Sequence, residues 1–129
     1  MELQTAFDHF NFNVLNLERS LAFYKEALNF TECRRRTADD GSYIIVFLSA
    51  PLHAGFTLEL TWLRDRIDPY NLGECEYHLA VRVANDYDEV RRFHREMGCL
   101  CYENPVMGIY FIADPDGYWI EVLPLKKNA

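Results

Sequence analysis

Two histidines and two glutamates lie in four separate apolar, strand-like runs of this chain: His9, Glu59, His78 and Glu121. An ionisable group in a run that otherwise reads as core is costly unless something compensates it. Four such groups, in the order His, Glu, His, Glu, can compensate one another around a single divalent cation. Two imidazoles and two carboxylates suit a borderline ion such as Ni²⁺, Co²⁺ or Zn²⁺. Four protein ligands leave open positions in an octahedral shell, where a catalytic metal takes water or a chelating substrate. Taken singly, a strand histidine is more often a hydrogen-bonded structural residue, and a strand glutamate more often sits on a solvated face or an edge. The joint pattern, not any one residue, points to a metal.

The elements that must position these groups come from an internal repeat. His9-Phe-Asn-Phe-Asn-Val14-Leu-Asn16 lies over His78-Leu-Ala-Val-Arg-Val83-Ala-Asn85 at a constant offset. In the first stretch Phe10, Phe12 and Val14 face one way and His9, Asn11 and Asn13 the other. In the second, Leu79, Val81 and Val83 oppose His78, Ala80 and Arg82. Period-two alternation predicts a strand with one buried face, so each histidine falls on the polar face.

A helix follows each strand. Leu17, Leu21, Tyr24 and Leu28 recur at helical spacing after an Asn16 cap. Tyr87, Val90, Phe93 and Met97 do so after Asp86, with Glu89 completing a loose capping box and Gly98 placed to stop the helix. Strands are predicted near 31–37, 42–49 and 55–63, then near 99–104, 107–113 and 118–124. Asp114-Pro115-Asp116-Gly117 is a turn signal before the last strand. The plan is βαβββ twice, an α+β fold of curved mixed sheets in a single domain. Module 1 covers 1–63, a polar linker 64–74, and module 2 covers 75–129.

Composition narrows the function classes. The 129 residues carry a net charge of −7, which argues against a nucleic-acid or anionic-membrane partner. No apolar run approaches the ~20 residues of a membrane span. The opening Met1-Glu2-Leu3-Gln4 lacks the basic start and apolar stretch of a signal peptide, so a cytoplasmic location is expected. Cys33, Cys75, Cys99 and Cys101 form no Cys-x-x-Cys pair and read as reduced structural thiols. His94, among Arg91, Arg92, Arg95 and Glu96, is expected to face solvent, and His53 to lie in a loop.

Over nearly its whole length the chain resembles the vicinal oxygen chelate superfamily, and within it the glyoxalase I (lactoylglutathione lyase) family. The most specific stretches are Tyr70-Asn-Leu-Gly73 running into Tyr77-His78-Leu-Ala-Val81, and Asp114-Pro-Asp-Gly-Tyr-Trp-Ile-Glu121. Leu58-Glu59-Leu-Thr61 and the opening His9 strand also fit. The resemblance implies that His9, Glu59, His78 and Glu121 are the metal ligands. It implies a homodimer with sites at the subunit interface, each built from module 1 of one subunit and module 2 of the other. The implied substrate is the hemithioacetal of a 2-oxoaldehyde such as methylglyoxal and a thiol, usually glutathione. The implied product is a thioester of a 2-hydroxy acid, formed as a proton moves from C1 to C2. Short members of the family prefer Ni²⁺ over Zn²⁺. Glu121 is expected as the proton-shuttling base and Glu59 as the second carboxylate.

Three family positions differ. An Arg four residues after the first His is Asn13 here, an Asn four residues after the first Glu is Leu63, and a Lys in the loop before the last two strands gives way to the stretch containing Met107. Those family residues grip the carboxylates of glutathione, so another thiol is the alternative, with Arg64, Arg66 or Arg82 as possible substitutes. Other members of the superfamily set the competing readings: an epimerase, a thiol transferase, a dioxygenase, or a non-enzymatic small-molecule binder. The presence of all four ligand types favours the lyase.

Overall fold

Strand and helix signals alternate in the chain so that each half closes its own sheet over its own helix. The computed structural model describes residues 1–125. The order of elements is β1 (His9–Val14), α1 (Leu17–Leu28), β2 (Thr31–Thr37), β3 (Tyr43–Ala50), β4 (His53–Leu63), β5 (Leu79–Val83), α2 (Tyr87–Met97), β6 (Leu100–Asn104), β7 (Ile109–Ala113) and β8 (Trp119–Pro124). The chain divides into two compact units, Met1–Tyr70 and a second that begins at Asn71. Each is βαβββ.

In the first unit the strand order is β1-β4-β3-β2, and in the second β5-β8-β7-β6. The first and last strands of each unit pair in parallel, and the other pairings are antiparallel. A parallel neighbour needs a crossover, which the helix and the two intervening strands provide. Strand alternation then decides the faces. Phe12, Val14, Val46, Leu48, Leu58 and Leu60 are buried on one face of the first sheet, and Tyr110, Ile112, Ile120 and Val122 on one face of the second. The histidines and glutamates lie on the opposite faces.

Both helix caps predicted from sequence form. Asn16 accepts from the Arg19 N–H and Asp86 from the Glu89 N–H, each satisfying an otherwise unpaired donor of the first turn. Gly98 closes α2 with φ 79°, and Asn29 closes α1 in the same left-handed region. In the turn before β8, the Asp114 carboxylate accepts from the N–H groups of Asp116 and Tyr118, and Gly117 takes φ 94°.

Three expectations are overturned. His94 is fully buried rather than solvent-facing, and its Nδ1 lies 2.7 Å from the Tyr110 hydroxyl. Phe93, expected in the apolar stripe, is 42% exposed instead. The inward line of α2 runs through Tyr87, Val90, His94 and Met97, one residue on from the expected position. His53 is the first residue of β4 rather than a loop residue.

Candidate metal centre

In the first unit β1 runs parallel to β4 with His9 opposite Thr57 and Asn11 opposite Glu59. Glu59 is therefore the diagonal neighbour of His9 on one face, within reach of a long side chain. His9 Nε2 stands 3.0 Å from Glu59 Oε2. The second unit repeats the register: Leu79 faces Ile120 and Ala80 faces Glu121, with His78 one residue ahead of β5. His78 Nε2 stands 3.7 Å from Glu121 Oε1. Both glutamates are enclosed, 14% and 17% exposed, while the imidazoles are 40% and 43% exposed. The carboxylates are thus held and the rings keep an open edge.

A third residue completes each arrangement. Phe47 pairs with Glu59 and Phe111 with Glu121, each from the strand beside the glutamate. The imidazole of His9 meets Phe47 edge-to-face at 5.9 Å and 87°, and that of His78 meets Phe111 at 5.1 Å and 89°. Sequence reading passed over these phenylalanines because they sit in apolar runs and carry no ionisable group. Their positions opposite the two glutamates were the available signal.

The repeat extends to the outer strands. β2 and β6 each carry an irregularity, between Glu32 and Arg34 and between Leu100 and Tyr102. The thiols of Cys33 and Cys101 there donate to the carbonyls of Phe47 and Phe111. None of the four cysteines forms a disulfide. Beyond each irregularity, the partner of the phenylalanine differs. Arg34 lies 4.0 Å above the Phe47 ring, whereas Tyr102 packs against Phe111 and stacks on Trp119 at 6.0 Å and 19°.

The surroundings differ further. In the first unit Asp8 Oδ2 lies 2.6 Å from His9 Nδ1. Thr61 Oγ1 donates to Asn11 Oδ1 at 2.6 Å and stands 3.4 Å from Glu59 Oε1. In the second unit a cavity of about 550 Å³ opens in front of His78 and Glu121, walled by Tyr102, Met107, Phe111 and Trp119. Neither unit gathers three or more His, Cys, Asp or Glu side chains into a ligating cluster among the described residues. Each contributes one imidazole and one carboxylate.

These pairs fit a divalent ion. Ligand atoms about 2.0–2.2 Å from a common ion lie about 3.0–3.5 Å from one another when adjacent in an octahedral or tetrahedral shell. The two His–Glu separations, 3.0 and 3.7 Å, fall in or close to that range. The donor set is imidazole nitrogen and carboxylate oxygen, without thiolate, which favours the borderline metals.

A sequence model of the Glyoxalase/Bleomycin resistance protein/Dioxygenase superfamily matches residues 6–122. The chain belongs to that superfamily. Its similar relatives carry narrower names. It is 35% identical over 128 residues to the lactoylglutathione lyase of Neisseria meningitidis, covering 93% of this chain and 91% of that protein. It is 31% identical over 124 residues to the lactoylglutathione lyase of Salmonella typhimurium, covering 92% and 91%. The trypanothione-dependent glyoxalase I of Leishmania major superposes with a TM-score of 0.80 at 31% identity, covering 94% of this chain and 87% of that one. No helix among the described residues is long and apolar enough to cross a membrane.

Proposed function

We propose that the chain is a metal-dependent glyoxalase I, a carbon–sulfur lyase that isomerises the hemithioacetal of a 2-oxoaldehyde and a thiol to a 2-hydroxyacyl thioester. The observation that carries this reading is the repeated register that sets an imidazole beside a carboxylate in each unit, at 3.0 and 3.7 Å. His9, Glu59, His78 and Glu121 hold one divalent ion, Ni²⁺ in first place and Co²⁺ or Zn²⁺ after it. The two half-sites join across a homodimer, the first unit of one subunit meeting the second unit of the other.

A bound divalent ion supplies positive charge that stabilises the negative charge developing on the two substrate oxygens. The protein does the rest. Glu121 takes the proton from C1 and returns it to C2, so no oxidant or reductant is consumed. Its position on β8, opposite Phe111 and lining the cavity, supports that role. Glu59, anchored near Thr61, holds its place on the opposite side. Tyr102, Phe111 and Trp119 enclose the small carbonyl end of the substrate and exclude water.

Glutathione is the thiol named by the bacterial relatives, while the Leishmania enzyme is described as trypanothione-dependent. Leu63 ends β4 at 37% exposure, and Met107 lines the cavity at 69% exposure. Neither offers a charged hydrogen bond to a carboxylate, each worth about 1.5–3 kcal/mol. A thiol other than glutathione is therefore the second reading. The deciding experiment measures bound metal and dimer mass, then follows thioester absorbance with methylglyoxal and a panel of small thiols after Ni²⁺ or Zn²⁺ addition. Expected is Ni²⁺-supported thioester formation. A metal-loaded dimer inactive with every thiol overturns the lyase reading.

A further inference from the structure

We infer that Asp8 is a positioning residue that fixes which nitrogen of His9 faces the metal, and that only the first half-site has such a device. The inference rests on the assignment of His9 as a ligand. The Asp8 carboxylate lies 2.6 Å from His9 Nδ1. An ionised carboxylate only accepts hydrogen bonds, so Nδ1 carries a proton and donates it. Nε2 is then the ring nitrogen turned toward Glu59, at 3.0 Å. The metal-free ring therefore already has the orientation a ligand needs, with Nδ1 held by Asp8. Carboxylate–histidine–metal arrangements of this kind typically change metal affinity 10–100-fold when the carboxylate is removed.

The backbone supports the geometry. The Asp8 carbonyl accepts from the Thr57 N–H at 3.1 Å, tying the residue to β4 at the position opposite His9. Its side chain is 84% exposed and packs in no core, so its loss leaves folding intact. In the second unit the corresponding residue is Tyr77, whose ring packs near Tyr118. Among the described residues, the ion pair of the His78 ring is with Glu121, at 3.7 Å. His78 thus has no carboxylate in the place that Asp8 takes beside His9.

The test uses the full-length dimer. Ni²⁺ affinity is measured by competition with a chelating indicator for the wild type, Asp8→Ala, Asp8→Asn and His9→Gln. Ring ¹⁵N shifts of metal-free protein above the imidazole range report the tautomers of His9 and His78 directly. Expected are roughly 10–100-fold weaker Ni²⁺ binding in Asp8→Ala, a His9 ring that moves from the Nδ1–H form toward a mixture, and an unchanged His78. Asp8→Asn, which keeps an acceptor oxygen, restores the Nδ1–H form and part of the affinity. Wild-type affinity and tautomer in Asp8→Ala, with binding lost in His9→Gln, overturn the role of Asp8 alone. Wild-type affinity in His9→Gln overturns the ligand assignment itself.

Discussion

In the first unit His9 is pinned between Asp8 and Glu59, on a face lined by Asn11, Asn13 and Thr61. In the second, His78 stands farther from its glutamate and fronts an aromatic cavity. The strand order, the outer-strand irregularity and the imidazole-on-phenylalanine contact are nevertheless the same in both. Duplication kept the features set by backbone pairing, because a one-residue slip would move every core side chain to the wrong face. Around the shared phenylalanines, the more exposed residues of the opposite face were freer to diverge. The first half surrounds its histidine with polar side chains, and the second with aromatic ones.

The sharpest way to break this comparison is to neutralise each carboxylate in turn. Glu121→Gln is expected to lower kcat by about 10²–10⁴-fold even at saturating Ni²⁺, because the proton carrier is gone. Glu59→Gln is expected to weaken metal binding first and to recover much of its rate in excess Ni²⁺. Equal, metal-rescued losses in both variants would show that the halves do not divide the labour.

A second contrast lies beneath the sheets. Tyr24 and His94 are each the eighth residue of their helix, and both are fully buried. Tyr24 stacks on Phe30, whereas His94 meets the Tyr110 hydroxyl. Removing that buried bond with Tyr110→Phe is expected to cost about 1–3 kcal/mol in urea unfolding.

Burial also pushes the Tyr110 and Tyr87 hydroxyls above the usual phenol range. A raised native value means the fold favours the neutral phenol. This contribution is therefore complete below about pH 10 and is lost as pH rises toward the native value. The unfolding midpoint should fall above about pH 10, and less steeply in Tyr110→Phe. Identical alkaline profiles for variant and wild type would remove the tyrosine from the account.

A smaller effect is expected from Trp119→Ala, which opens the stack with Tyr102. A loss of about 0.5–1.5 kcal/mol of aromatic pairing should appear as a KM rise of a few-fold to ten-fold. Thr57→Ala, at the matching place two residues before Glu59, should leave KM unchanged. A parallel rise in both would mean that the cavity does not set substrate binding. The smallest effect belongs to Arg34→Ala, where loss of the guanidinium–Phe47 contact should cost about 0.5–1 kcal/mol of stability. Thermal unfolding that matches the wild type would show this contact to be energetically idle.

Most of the frame was legible from the repeat. Strand alternation put His9 and His78 on polar faces, the repeat put Glu59 and Glu121 on the last strand of each half, and Asn16, Asp86 and Gly98 marked helix ends where the caps form. The partners of the site residues were harder to see. Phe47 and Phe111 are indistinguishable from core residues until register sets them opposite the glutamates. Asp8 lies ahead of the first strand, where a local pattern assigns no facing direction. His94 was misplaced because charged neighbours suggested a solvated face. The core accepted an imidazole there because Tyr110, sixteen positions on, supplied a hydrogen-bond partner.

The parallel pairing of the first and last strand in each unit has a consequence for assembly. The histidine and glutamate of a half-site come from opposite ends of their unit, so they meet only when the intervening helix and strands are in place. Such long-range closure comes late in folding. A nascent or partly unfolded chain offers isolated donors, and the finished pairing sets each imidazole beside its carboxylate. Under the proposed ligand assignment, the strand order makes a complete half-site a product of completed folding.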